Sequence, residues 1–278
     1  MNVVVLATAC ALVYGAADFF GGLATRRSRL LAVVVLSQVA GLGFIAALAG
    51  ALPGTPSAGA LLWGMAAGIM GAAGLVLFYR ALARGTMSVV APTTATTSAA
   101  MPVLFGLLSG ERPEALALAG VALALVSVLM VSRAPGGGTV RESTGPLLAA
   151  LAAGAGFGGF FILLAQAPAE AGIWPLMGAR FASITLVALL ALATGRTLRP
   201  GGGAVPTIVV AGVLDMAANV LYLLAAQRGL LSLVAVLVSL YPATTILLAR
   251  YVLRERLHPT QTVGVVAALA AVALIAAG

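Results

Sequence analysis

Charge is scarce in this chain. Only 8% of its 278 residues are Asp, Glu, Lys or Arg, against about a quarter in an ordinary soluble domain. A soluble surface cannot be covered with so few. Lysine is absent, and all 15 basic residues are Arg. Cys10 is the single cysteine, so no intramolecular disulfide can form. It falls inside an apolar run and reads as a small packing residue. The single histidine, His258, sits beside Pro259, and no Cys/His cluster is available for zinc. A phosphate-binding P-loop is missing, as is a Ser/His/Asp set for nucleophilic catalysis. Neither a cofactor nor an enzymatic activity is therefore expected. The net charge of +8 does not point to nucleic acid. The Arg residues lie mostly at the ends of apolar runs, where basic residues anchor and orient membrane helices.

What the chain has is apolar length. Hydrophobic residues make up 62% of it, and they recur in runs of about 20, the length that crosses the hydrocarbon of a bilayer. Ten spans are expected, at 2–24, 31–51, 58–80, 87–109, 115–132, 146–166, 174–194, 205–226, 230–253 and 260–277. Pro53-Gly54, Arg84-Gly85, Glu111-Arg112-Pro113, Arg228-Gly229 and His258-Pro259 punctuate them. The first run has no basic start and stays apolar from Val3 to Ala17, so it reads as a retained helix rather than a cleaved signal. These features predict an all-α integral membrane protein, multi-pass, in a bacterial-type plasma (inner) membrane.

The two halves resemble each other. A shift of 144 places Arg84-Gly85 on Arg228-Gly229 (228 − 84 = 144), Ser88 on Ser232 and Glu111-Arg112 on Glu255-Arg256. A first repeat over 1–133, a linker over 134–145 and a second repeat over 146–278 are expected. Five spans per half is an odd number, so the second repeat must enter the membrane from the opposite side. Such inverted repeats build secondary transporters, with the cargo site near the midplane between the halves. Counting connectors from the N-terminus, the odd ones hold 12 Arg and the even ones 3, Arg180 included. The positive-inside rule then places the odd connectors in the cytoplasm and both termini outside.

The second half carries the most telling string: Asp215, Asn219-Val220-Leu221-Tyr222, Gln227-Arg228-Gly229, Ser239-Leu240-Tyr241-Pro242 and Glu255-Arg256-Leu257. Pro242 precedes Glu255 by 13 residues (255 − 242 = 13), Arg180-Phe181 stands near the start of the seventh span, and Tyr14-Gly15 and Phe157-Gly158 lie in the first and sixth. This pattern resembles the EamA-type branch of the drug/metabolite transporter superfamily. The resemblance implies ten helices in two inverted EamA repeats and transport of amino acids, other metabolites or drugs. The first half departs from the pattern: Ser98 stands where the Pro is expected, Pro102 follows one turn later, and Gln38 stands where the second half has Arg180.

Ionisable residues inside a bilayer are costly, about 2.5–3.5 kcal/mol for an Asp at a helix centre, and usually face a bundle interior or a wet cavity. Asp18 and Asp215 are thus candidate proton or cargo sites. Asp18 could instead snorkel to the interface beside Arg26 and Arg27, and Asp215 could form a structural pair with Arg180 or Asn219. Arg180 could bind a cargo carboxylate. Asp215, Asn219 and Tyr222 share one helix face and read as cavity-lining. The run Thr93, Thr94, Thr96, Thr97, Ser98 is too crowded to face one side, so Thr93 and Thr97 could line the cavity or bond back to their own helix. Gln38, Tyr14, Phe19, Tyr79 and Tyr241 complete the candidates, and Pro102 and Pro242 are expected to bend their helices. Gly64-xxx-Gly68 allows close helix approach. The expected partners are a small-molecule cargo, the lipid bilayer and protons, with a homodimer left open and no nucleic acid. Proton-driven export by alternating access is the preferred reading. A passive facilitator or exchanger, or a non-transporting scaffold or accessory subunit, is the alternative.

Overall fold

The computed structural model describes residues 2–25, 27–82, 87–132, 144–195, 197–254 and 259–277. Arg26, the Arg84-Gly85 and Glu255-Arg256 pairs, His258, most of the expected linker and the side chains of Tyr79 and Ser88 lie outside the described residues. Apart from a 3-10 turn at Ala169–Ala171, regular structure among the described residues is α-helical. The helices are α1 Val3–Thr25, α2 Leu30–Ala49, α3 Ala58–Leu82, α4 Met87–Leu108, α5 Ala115–Ser132, α6 Thr144–Ala165, α7 Trp174–Ala193, α8 Val205–Ala226, α9 Leu231–Val238, α10 Tyr241–Val252 and α11 Pro259–Ala277. In lipid each backbone N–H and C=O must be satisfied within the chain, and helices do that without a partner. Seven stretches are long and apolar enough to cross a membrane, with α9 and α10 counted as one; Thr93–Leu108, Ala115–Met130 and Pro259–Ile275 are shorter apolar helices.

The expected ninth span is two helices rather than one bent helix. α9 ends at a turn over Ser239 and Leu240, and α10 begins with Tyr241 and Pro242 in its first turn. Proline has no N–H for the carbonyl one turn back, and its ring crowds that turn, but it fits a helix start. The Ser239 N–H donates to the Ala235 carbonyl at 2.9 Å and its hydroxyl to that of Val236 at 2.7 Å, which closes α9 internally. Pro102, by contrast, leaves α4 continuous.

Side-chain neighbours fix the helix directions. α1 and α8 are antiparallel: Cys10 meets Ala218 near one end, and Ala24 meets Ala204 and Ile208 at the other. α2 runs parallel to α8, with Ser37 and Gly41 against Gly212, and antiparallel to α7, with Gln38 against Ser183 and Val34 and Val35 against Val187. α3 is parallel to α7 through Gly64–Pro175 and Gly68–Ala179. It is antiparallel to α6, where Gly74 meets Ala153 and Gly71 meets Phe160. α4 follows α6, with Thr94 on Ala150 and Met101 on Gly158. The α9–α10 pair follows α1, with Gly229 on Val3 and Tyr241 beside Tyr14 and Gly15. Corresponding helices of the two halves therefore run in opposite directions, α1 against α6, α2 against α7 and α3 against α8.

The halves do not form separate cores. The most extensive packing is across them: α1 with α8, α3 with α6, α2 with α8, α3 with α7, and α5 with α11. Exchanging the halves turns α1–α8 into α3–α6 and α2–α8 into α3–α7 and returns α5–α11 to itself, so the molecule has an internal pseudo-twofold. Lipid supplies no hydrophobic drive between helices, so small residues and close backbones hold such a bundle. A side chain on Gly68 would overlap the Ala179 carbonyl, and one on its counterpart Gly212 (68 + 144 = 212) would overlap the Ser37 carbonyl. Gly64-xxx-Gly68 thus seats α3 on α7, and Gly212 seats α8 on α2.

Candidate functional site

Helix α1 presents two faces. Val5 and Leu12 are exposed on one. On the opposite face, residues 7, 11, 14, 18, 22 and 25 follow one another at helical spacing. Ala7 and Ala11 are buried, Tyr14 is half-buried, and Asp18, Gly22 and Thr25 are exposed. Accessibility therefore rises along the inward face toward the α1 C-terminus. This accessible stretch of the inward face, at the end of the bundle that carries the α1–α2 and α7–α8 connectors, is termed the vestibule.

Asp18 stands in this vestibule. It makes no hydrogen bond or ion pair among the described residues, and its carboxylate is close enough to the Asp215 carboxylate and to the Tyr241 hydroxyl to interact with each electrostatically. Asp215, about one turn deeper because α8 runs antiparallel, is differently placed. Its carboxylate pairs with the Arg180 guanidinium. The Asn219 amide donates to the Asp215 carbonyl at 2.8 Å and to its carboxylate at 3.4 Å. The Asp215 side chain keeps 39% of its surface accessible while that of Arg180 keeps 13%, so the acid faces the opening and the cation lies behind it. Gln38 accepts a hydrogen bond from the Ser183 hydroxyl and ties α2 to α7 one turn from Arg180. Arg180, Asp215, Asn219, Gln38 and Asp18 are thus brought to one region, where one carboxylate is balanced and the other is not.

Tyr14 lies edge-on to Phe161 and against Tyr241, each with ring centroids 6.3 Å apart. Tyr241 opens α10, directly after the helix break, so the break, Tyr14 and Asp215 share one level. The Thr245 hydroxyl donates to the Gly15 carbonyl at 3.0 Å and fixes α10 on α1. Tyr222 is placed differently: it is wholly buried, tilted against Phe161 with ring centroids 4.6 Å apart, and its hydroxyl donates to the Phe161 carbonyl at 3.0 Å. Of the expected stripe only Asp215 is accessible, since Asn219 is 4% exposed. Thr97 bonds back to the Thr93 carbonyl at 2.8 Å and packs on Gly154, and Thr94 donates to the Ala150 carbonyl at 3.1 Å. The threonines this accounts for, Thr94 and Thr97, join α4 to α6.

Glu111, which reads in the sequence as a loop residue at the membrane surface, reaches across the repeats. It accepts hydrogen bonds from the Leu231 N–H at 2.7 Å, the Ser232 N–H at 3.0 Å and the Ser232 hydroxyl at 2.5 Å. A carboxylate on the first amides of a helix satisfies orphan donors and suits the helix dipole. This clasp, at the end of the bundle away from the vestibule, joins the α4–α5 connector to the start of α9. The matched Ser88/Ser232 and Glu111/Glu255 positions were the available signal; which acid meets which serine needs the fold.

Among the described residues, no group of His, Cys, Asp and Glu is placed to hold a metal ion. A family model described as the EamA-like transporter family matches residues 1–133 and 144–277. A solved crystal structure, one of 29 matching chains, aligns with a TM-score of 0.81 over 98% of this chain and 95% of that chain, at 19% identity. At that identity the likeness speaks for the fold alone. No curated protein matches. With the family model matching both halves, the chain belongs to the EamA-like transporter family and is a multi-pass membrane protein.

Proposed function

We propose that the protein is a secondary transporter of small organic molecules that works by alternating access and is driven by proton exchange at Asp18, not an enzyme. The observation that carries this reading is the accessible Asp18 carboxylate, without a counter-charge among the described residues, in a vestibule between oppositely directed repeats. An intramembrane acid that no cation neutralises can hold a proton or a cation, and the two compete. Ten spans, with α9 and α10 as one and the shorter α4, α5 and α11 crossing as well, account for the alternating helix directions. The vestibule opens on the side that carries most of the Arg residues. By the positive-inside rule that side is the cytoplasm, so the described state takes cargo from inside, which suits export from a bacterial-type inner membrane. The Glu111 clasp closes the far end, and turnover requires it to release.

The charge balance also favours a class of cargo. Arg180 is paired and withdrawn, while two carboxylates and the Tyr14 and Tyr241 rings face the opening. A cationic or amine-bearing molecule with an apolar body fits that wall better than an anion does, through the carboxylates and through cation–π contact. In proteoliposomes of the full chain, uptake of an aromatic amine should rise with an imposed pH gradient. Asp18→Asn should abolish the pH-driven component, whereas Asp215→Asn should lower the rate and leave its pH dependence. Gradient-driven flux that survives Asp18→Asn intact would sink proton exchange at Asp18 and leave a passive facilitator.

A further inference from the structure

The connectors of the two repeats clasp each other at both ends of the bundle, and the two clasps are counterparts under the pseudo-twofold. At the far end, the Thr55 N–H donates to the Glu170 carbonyl at 3.0 Å and the Trp174 indole to the Gly54 carbonyl at 3.4 Å. At the vestibule end, the Gly201 N–H donates to the Ser28 hydroxyl at 3.0 Å, and a side chain at Gly201 would overlap the Arg27 carbonyl. The architecture is the same and the chemistry is opposite. The far clasp carries Glu170 and Trp174. The vestibule-side clasp borders an open surface cavity of about 580 Å³ whose lining, among the described residues, includes Arg27, Arg29, Arg199, Ser28 and Thr197 and no acidic residue.

We infer that this cavity is a binding site for a phosphate oxyanion, either the headgroup of an anionic lipid or a soluble phosphate compound. The three arginines line one recess, and none of them makes an ion pair among the described residues. The clasp between the connectors brings them together without a side-chain partner of their own, so the recess is formed before the anion arrives. Guanidinium binds phosphate oxygens bidentately, and hydroxyls such as Thr197 supply further donors. Basic recesses at the cytoplasmic ends of transmembrane helices are placed to take headgroups. Simple anchoring by scattered arginines does not call for a shared cavity, nor for the acidic and aromatic character of its counterpart at the other end. An occupant would bridge the α1–α2 and α7–α8 connectors, and so tie the helix that carries Asp18 to those that carry Arg180 and Asp215.

The test uses the full-length protein in detergent, with phosphatidylglycerol or phosphatidylcholine added and retained lipid read by native mass spectrometry. In parallel, inorganic phosphate and glycerol phosphate are titrated against the delipidated protein by thermal shift. Phosphatidylglycerol should be retained over phosphatidylcholine, and R27Q/R199Q should weaken retention by about tenfold while R80Q/R112Q, an equal loss of charge elsewhere on the surface, should not. Stabilisation by the soluble phosphates, lost in R27Q/R199Q and without selective lipid retention, identifies a soluble ligand and still supports the site. The inference is overturned if neither lipid nor phosphate discriminates the wild type from R27Q/R199Q. It is equally overturned if R80Q/R112Q reduces binding as much as R27Q/R199Q does.

Discussion

The α1–α8 and α3–α6 seams are related by the pseudo-twofold, and they have been given different work. The α3–α6 seam is dry. Gly71 and Gly74 meet Phe160 and Phe157, and Gly156 and Gly159 meet Gly74 and Met70. The α1–α8 seam holds Tyr14, Asp18, Asp215, Asn219 and Tyr222. Asp215 occupies the position that Gly71 occupies in the first repeat (215 − 144 = 71). Duplication supplies the architecture twice, while the charge is placed once. The consequence is a bundle with one ionic seam and one apolar seam.

The largest effect is expected from removing the balanced acid. Asp215→Ala leaves the largely covered Arg180 guanidinium without its counter-charge, and because the lost partner is itself 39% accessible the cost falls below that of a fully buried pair, to about 2 kcal/mol. Thermal unfolding in detergent should show it. The double change Arg180→Gln with Asp215→Asn should recover most of the loss, because it removes both charges together. If the single and the double change destabilise equally, the pair is not what holds α7 to α8. On the dry seam the corresponding break is steric. A Cβ on Gly156 would lie 2.7 Å from the Gly74 Cα, with backbone on both sides. Gly156→Ala should cost about 2 kcal/mol through overpacking. Flux per folded molecule should stay unchanged, because no charged group is touched.

The contrast between the seams was only partly legible in the sequence. Helix positions agree within about two residues, because apolar length and connector chemistry are local properties. The cut in the ninth span falls two residues before Pro242, since a proline spoils the turn preceding it; Pro242 announced a bend but not its completeness. Intramembrane charges could be located but not paired. Arg180 and Asp215 are 35 residues apart and meet only once α7 and α8 are antiparallel. That Asp18 makes no ion pair among the described residues is a tertiary fact of the same kind; Arg27 lines the connector cavity. Tyr222 shares a face with Asp215 by spacing, yet Phe161 from α6 covers it, and helix periodicity carries no information about a neighbour.

The smallest effects separate the two tyrosines that touch Phe161. Tyr222 is fully buried and its hydroxyl bonds a backbone carbonyl. Tyr14 is half-buried and its hydroxyl makes no hydrogen bond among the described residues. Tyr222→Phe removes the second hydrogen bond accepted by the Phe161 carbonyl, which lies within α6, and should lower stability by about 1 kcal/mol with flux unchanged. Tyr14→Phe breaks no internal hydrogen bond and should leave unfolding where it is. If the Tyr14 hydroxyl meets cargo in the vestibule, its loss should raise the half-saturating cargo concentration several-fold, about the worth of one hydrogen bond. The same pair of measurements with the outcomes exchanged would move the cargo path to the other side of Phe161, between α6 and α8.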